Sequence, residues 1–171
     1  MTQSKNKVIL YIGLKMIGVM KMTALAKTIE TLLENKKYSS LRDVLSSMNE
    51  ADIAAMFSEV SSDSLPLLFR LLPKDLAADT FALMDTDEQE LLIRGFSDNE
   101  IKEVFDELYV DDAADIVEEM PANVVKRILK NTEPDMRQMI NEILKYPEDS
   151  AGSVMNVDYI ALRREMTVAE S

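Results

Sequence analysis

From Thr23 to Lys145 apolar residues recur with a period near 3.6, interrupted every 11–13 residues by capping or helix-breaking residues. This pattern predicts ten short helices, at about 23–35, 40–48, 50–60, 63–72, 74–84, 87–95, 98–109, 112–120, 122–130 and 134–145. Ile101, Val104, Phe105 and Leu108 form one apolar stripe, and Val124, Val125, Ile128 and Leu129 form another. Ser97 and Glu100 have the spacing of a capping box, and Pro73, Pro121 and Pro134 fall at helix starts, where a missing N–H costs little. Helices of about three turns are marginal alone, so these must be held by packing against one another.

The series repeats. DIAA at 52–55 returns as DLAA at 75–78, and DLAAD at 75–79 returns as DDAAD at 111–115, a distance of 36 residues. The expected fold class is therefore all-α, a superhelical stack of short helices built from helical-hairpin units of about 23–25 residues. Met56, Met84 and Met120 fall on apolar faces and read as core filling rather than as ligands of a soft metal.

The ends read differently. Residues 8–20 (VILYIGLKMIGVM) are apolar but too short to span a bilayer, which takes ~20 residues, and Lys15 interrupts them. Met20 and Met22 would each serve as a start, so residues 1–21 are expected to be an extension outside the fold; a signal peptide cleaved near Ala24–Ala26 is the rival reading. Beyond Lys145, Pro147 and Gly152 break the helical pattern. A β-like stretch follows at 157–162, and Thr167 and Glu170 have capping-box spacing for another helix. The expected organisation is an extension at 1–21, a helical domain at 22–145, and a linker with the incomplete start of a second domain at 146–171.

Composition narrows the chemistry. The 171 residues include no Cys, His or Trp, which removes disulfides, Cys/His zinc sites, thiol nucleophiles and histidine-based triads. Only 4 Gly and 5 Pro leave little for hairpins or a Gly-rich phosphate loop. The formal charge of −12 is uneven: residues 1–47 carry 8 Lys/Arg and 3 Asp/Glu, whereas 48–171 carry 11 and 28. So acidic a body repels phosphate backbones, and nucleic acid is not an expected partner. Cations or basic partners suit it, and any metal would be held by oxygen ligands.

One acidic constellation stands out. Asp111 and Asp115 are four residues apart and share a helix face about 6 Å apart at Cβ. Such a pair repels by ~0.7 kcal/mol in water and by about 3 kcal/mol at an effective dielectric of 20. A divalent cation would turn that cost into a gain, while a solvated acidic face is the plainer alternative. Asp111 also reads as an N-cap, its carboxylate satisfying free helix N–H groups. Asp79 occupies the matching place in the earlier repeat. No neighbouring signature suggests a substrate pocket, so an enzyme is not expected.

YPEDSAGSVM at 146–155 resembles the junction of MgtE-type magnesium transporters between the cytosolic N domain and the first CBS domain. LLPKDLAAD at 71–79, VDDAAD at 110–115 and ADIA at 51–54 are similar to that family's helical repeats, and VDYIAL with MTVAE is similar to the opening of a CBS domain. The resemblance covers about residues 23–171. It implies a superhelical N domain on the cytosolic face of the inner membrane. It also implies a magnesium-sensing role through docking on CBS domains, partnership with a transmembrane region, and a homodimeric whole. Carried across by motif, the magnesium-facing residues are Asp79, Asp111 and Asp115, forming a weak site shared with the CBS domains. Two other readings stand beside it. One is a protein–protein scaffold related to the flagellar motor switch protein FliG, the other a secreted helical binding module.

Overall fold

A computed structural model describes residues 23–147 and 150–152 of the chain. The ten predicted helices are all present, and no strand occurs among the described residues. Helix α1 covers residues 23–34. It is followed by α2 (Tyr38–Leu45), α3 (Glu50–Phe57), α4 (Leu65–Phe69), α5 (Lys74–Ala82), α6 (Thr86–Gly95), α7 (Asp98–Glu107), α8 (Val110–Glu119), α9 (Ala122–Asn131) and α10 (Pro134–Ile143). The extension expected at 1–21 and the CBS-like stretch expected at 157–162 lie outside the described residues.

The interruptions seen in the sequence prove to be one repeated device. The N-caps of α5 to α10 are Pro73, Asp85, Ser97, Tyr109, Pro121 and Glu133, at intervals of twelve residues and all with extended backbone. The residue before each of the last five is Met84, Phe96, Leu108, Met120 or Thr132, and each is buried. Phe96, Leu108, Met120 and Thr132 are also extended, with ψ of 145–150°. Each unit from α6 to α9 is thus a short helix plus a two-residue elbow, whose first side chain points into the core and whose second starts the next helix. An elbow of two extended residues turns the chain without a left-handed residue, so few glycines are needed. Lys36, at φ 55°, is the only non-glycine in the left-handed region among the described residues, where α1 ends.

Local chemistry sets the helix ends. Ser97 accepts a hydrogen bond from the Glu100 N–H, and the Glu100 carboxylate accepts one from the Ser97 N–H, completing the expected capping box. Asn49 caps α3 by accepting from the Asp52 N–H at 2.8 Å. Helix α4 is shorter than the pattern predicts. The Ser61 N–H donates to Glu30 of α1 at 2.8 Å, and Ser61 and Ser64 bond each other's hydroxyls, so residues 61–64 form a turn before the helix starts.

Helices pack mainly with the next but one in sequence. α3 lies against α5, α5 against α7 and α7 against α9, while α4 meets α6 and α8 meets α10. α8 also meets α5. The result is the superhelical stack the repeat predicts. Its spine holds Phe57, Phe81 and Phe105, nearly inaccessible to solvent, with Phe69, Phe81 and Phe96 in mutual ring contact and Phe81 edge-on to Phe105 at 6.2 Å. Met56, Met84 and Met120 are buried, as expected of core filling. Leu108 is buried but lies just past α7, at the elbow rather than on the helical stripe.

Candidate functional site

The acidic face is built by α5 and α8. Asp79 lies six residues after the N-cap of α5, and Asp115 lies six after the N-cap of α8. The shared register sets both carboxylates on the exposed side of their helices, and α5 and α8 are in contact. Asp111 and Asp112 occupy the first turn of α8. Asp112, which the spacing argument set to one side, lies within electrostatic reach of Asp79, Asp111 and Asp115 together. It is the residue that joins the sequence-predicted three.

One sequence expectation needs correction. Tyr109, not Asp111, is the N-cap of α8, and no side chain caps that helix. Asp111 is the second helical residue, where its charge suits the helix dipole but its carboxylate does not close a capping bond. Its Oδ1 is buried and has no hydrogen-bond partner. A buried carboxylate oxygen without a donor is costly, so the capping explanation does not account for Asp111.

Electrostatics report the same tension. Burial pushes the Asp112 carboxyl above its ordinary range, and the charges of Asp111, Asp115 and Asp79 add to the shift. Burial raises Asp115 too, helped by Asp111 and Glu119. Glu119 was not singled out from the sequence, although it extends the row Asp111–Asp115 by a further four residues. Its carboxylate accepts a hydrogen bond from the Thr86 hydroxyl on α6. Asp112, Asp115 and Glu119 line a cleft of about 220 Å³ with Gln89, Met84, Ala82 and Ile116. Gln89 is buried and donates to the Phe81 carbonyl at 2.8 Å, which fixes the cleft wall. Among the described residues no Lys or Arg pairs with any of these five acids. Nor do three or more of the described acids converge closely enough to enclose a metal ion by themselves.

A larger cleft of about 290 Å³ lies where the α4–α5 and α6–α7 connections meet α7. Its charges neutralise one another. Arg70 pairs with Glu100 at 2.6 Å, and Lys74 with Glu103 at 3.4 Å. The Arg70 hydrogen bond, aided by the Ser97 N–H, holds the Glu100 carboxyl at about 2, well below its ordinary 4.5. Acids held this way have no charge to offer a ligand, and the open acidic face is the better candidate.

An all-helical superhelical domain with an uncompensated acidic face is the class these observations define. The sequence matches the MgtE intracellular N domain family over residues 48–149, and the chain belongs to that family. It is similar to the magnesium transporter MgtE of Thermus thermophilus, 29% identical over 150 residues, covering 85% of this chain and 33% of that protein. The chain therefore spans about a third of that relative's length. Among solved structures, the cytosolic domain of the Mg2+ channel MgtE in complex with ATP superposes with a TM-score of 0.75 at 28% identity. That match covers 85% of this chain and 60% of the other. The soluble part of a magnesium transporter shares the fold, with a TM-score of 0.70 at 17% identity over 83% and 55% of the two chains. No described helix is long and apolar enough to cross a membrane.

Proposed function

We propose that this chain is the magnesium-responsive regulatory domain of an MgtE-type transporter, acting on the cytosolic side of the membrane by docking rather than by catalysis. The observation that supports the reading most is the orphaned Oδ1 of Asp111 within a face whose other carboxylates lack described cationic partners. The donor set suits the ion. Magnesium takes hard oxygen ligands, sheds water reluctantly and binds through one or two carboxylates with several waters retained. Asp79, Asp111 and Asp115, with Asp112 between them, form one wall of the site. The CBS domains of the same polypeptide supply the other, and the transmembrane region, in a homodimer, is the element regulated.

The mechanism follows from Coulomb's law. A bound ion supplies the positive charge that lets two acidic surfaces approach. With their charge compensated, Asp79, Asp111 and Asp115 dock against the CBS surface and the pore is held closed. Uncompensated, the same carboxylates repel that surface and shift the population toward the open pore. A wall that binds weakly alone is suited to reporting changes in an abundant ion.

The test uses the chain continued through complete CBS domains. Small-angle scattering should show compaction by magnesium beyond that produced by sodium chloride at equal ionic strength. Asp79→Asn, Asp111→Asn and Asp115→Asn should each weaken the magnesium response and leave helical content unchanged. Compaction by sodium chloride equal to that by magnesium, or a normal response in all three variants, overturns the assignment.

A further inference from the structure

The corner between α1 and α2 carries charge that the fold does not use. The sequence at 36–42 is KKYSSLR, with three cations, no acid and one aromatic residue. Lys36, Lys37, Ser39, Ser40 and Arg42 are exposed, as is Tyr38 at 41%, while Leu41 and Leu45 anchor α2 to the core. Tyr38 and Arg42, four residues apart, share one side of α2.

The backbone favours other residues at both lysines. The Lys36 and Lys37 N–H groups donate to the Leu33 and Leu32 carbonyls at 2.9 and 3.0 Å, the paired closure in which a left-handed residue ends a helix. Lys36 is that residue, at φ 55°, where glycine is preferred because a Cβ crowds the backbone. The α1 dipole favours a cation near there, but any basic residue in the preceding turn would gain as much without the strain. Lys37 is the N-cap of α2, makes no side-chain cap bond, and precedes a first turn without an acid. That end of α2 is the positive end of its dipole, so an ammonium is unfavourable there and Ser, Asp or Asn would stabilise it. Nor do the charges have partners. Lys36, Lys37 and Arg42 form no ion pair with a described acid, whereas Arg70, Lys74, Arg94, Lys102, Arg127 and Lys130 all do.

We propose that this corner is a docking surface for a bilayer carrying anionic phospholipid, with Lys36, Lys37 and Arg42 on the headgroup phosphates and Tyr38 seated at the interface. Lysine and arginine are each attracted to a negatively charged leaflet, and tyrosine, apolar in body and polar at its tip, suits the headgroup level. The formal charge of −12 does not forbid this. At physiological ionic strength charges more than about 8 Å from the lipid surface are screened, so the residues of the corner decide. The choice of a bilayer rests on the proposed role beside a membrane: three weak attractions suffice when the partner is held close. The test contains no magnesium, so either reading can fail without the other.

The test mixes the full 171-residue chain with vesicles of phosphatidylglycerol and phosphatidylcholine in equal parts, or of phosphatidylcholine alone, and measures co-sedimentation. Wild type should sediment with the mixed vesicles only, and less so as sodium chloride is raised. Lys36→Gly combined with Lys37→Ser puts the favoured residue at both backbone positions. Its thermal midpoint should equal or exceed that of wild type, while its partitioning falls at least about tenfold. Arg42→Gln should weaken partitioning severalfold. Tyr38→Ser should weaken it without changing its salt dependence. Equal partitioning of the double variant and wild type, equal binding to both vesicle types, or a lowered midpoint in the double variant overturns the proposal. Self-association in vesicle-free ultracentrifugation that the double variant abolishes would overturn it too, by assigning the corner to a second copy of the chain.

Discussion

Asp112 sits where burial and three like charges act in the same direction. A carboxyl whose folded value is raised binds its proton more tightly in the native state, so its charged form costs stability. That cost is present at neutral pH and disappears as pH falls through the raised value. Asp112→Asn should therefore raise the urea midpoint at pH 7, and the gap to wild type should close at pH 3, below the ordinary Asp range near 3.8. A variant less stable than wild type at pH 7 would show that Asp112 supports the fold instead of straining it. The residue was not legible as part of the site, for a geometric reason. Spacing on a single helix pairs Asp111 with Asp115 and turns Asp112 about 100° away, since 3.6 residues make one turn. That direction leads to Asp79 on α5, which a one-helix argument cannot see. Leu108 is the converse case. Its burial was readable from the stripe, but its place at the elbow was not.

At the scale of elements, the end of α6 shows how the stack is tied. The Arg127 guanidinium, reaching from α9, donates to the Ile93 carbonyl at 2.6 Å and to the Phe96 carbonyl. From the other side Arg70 donates to the Gly95 carbonyl at 3.3 Å. Two cations thus cover carbonyls left free where a helix ends, and both suit the negative end of its dipole. Arg127 and Arg70 also pair with Asp98 and Glu100 in the first turn of α7. Arg127→Ala should cost about 1–3 kcal/mol, the penalty for stranding half-buried carbonyls. The loss should appear as faster amide exchange in the last turn of α6 before global unfolding; unchanged exchange there would mean that water replaces the guanidinium without cost. The helices themselves were legible because periodicity and capping are local. The arginine ties were not, because their partners lie 25–34 residues away.

Across the whole molecule, α7 is the hub. Arg70 links it to the end of α4, Lys102 links it to Glu133 at the start of α10, and Arg127 and Lys130 link it to α9 through Asp98. Most of these pairs are exposed and contribute little singly. Glu100 differs, because it joins the Arg70 pair to the capping box of α7. Its folded value of about 2 lies below the ordinary 4.5, so its contribution is complete above 4.5 and is lost as pH falls from there toward 2. Acid titration of stability should therefore steepen between those values in wild type and be shallower in Glu100→Gln. Equal slopes would place the linkage elsewhere.

The sequence by itself determined the fold class and the number of helices, because apolar period, prolines and caps act over a few residues; the starts of α4 and α8 were settled by contacts the period does not carry. It also determined the family, through the repeated DLAAD and DDAAD motifs and the YPEDSAG junction. Tertiary structure alone decided that α5 and α8 lie side by side, which brings Asp79 to Asp112 and leaves the acidic face without a described cationic partner. Only packing could decide that Glu100, an acid in the same helical series, is neutralised by Arg70 while Asp112 is not. Charge and spacing are written along the chain, but whether a charge meets a partner depends on which helices become neighbours.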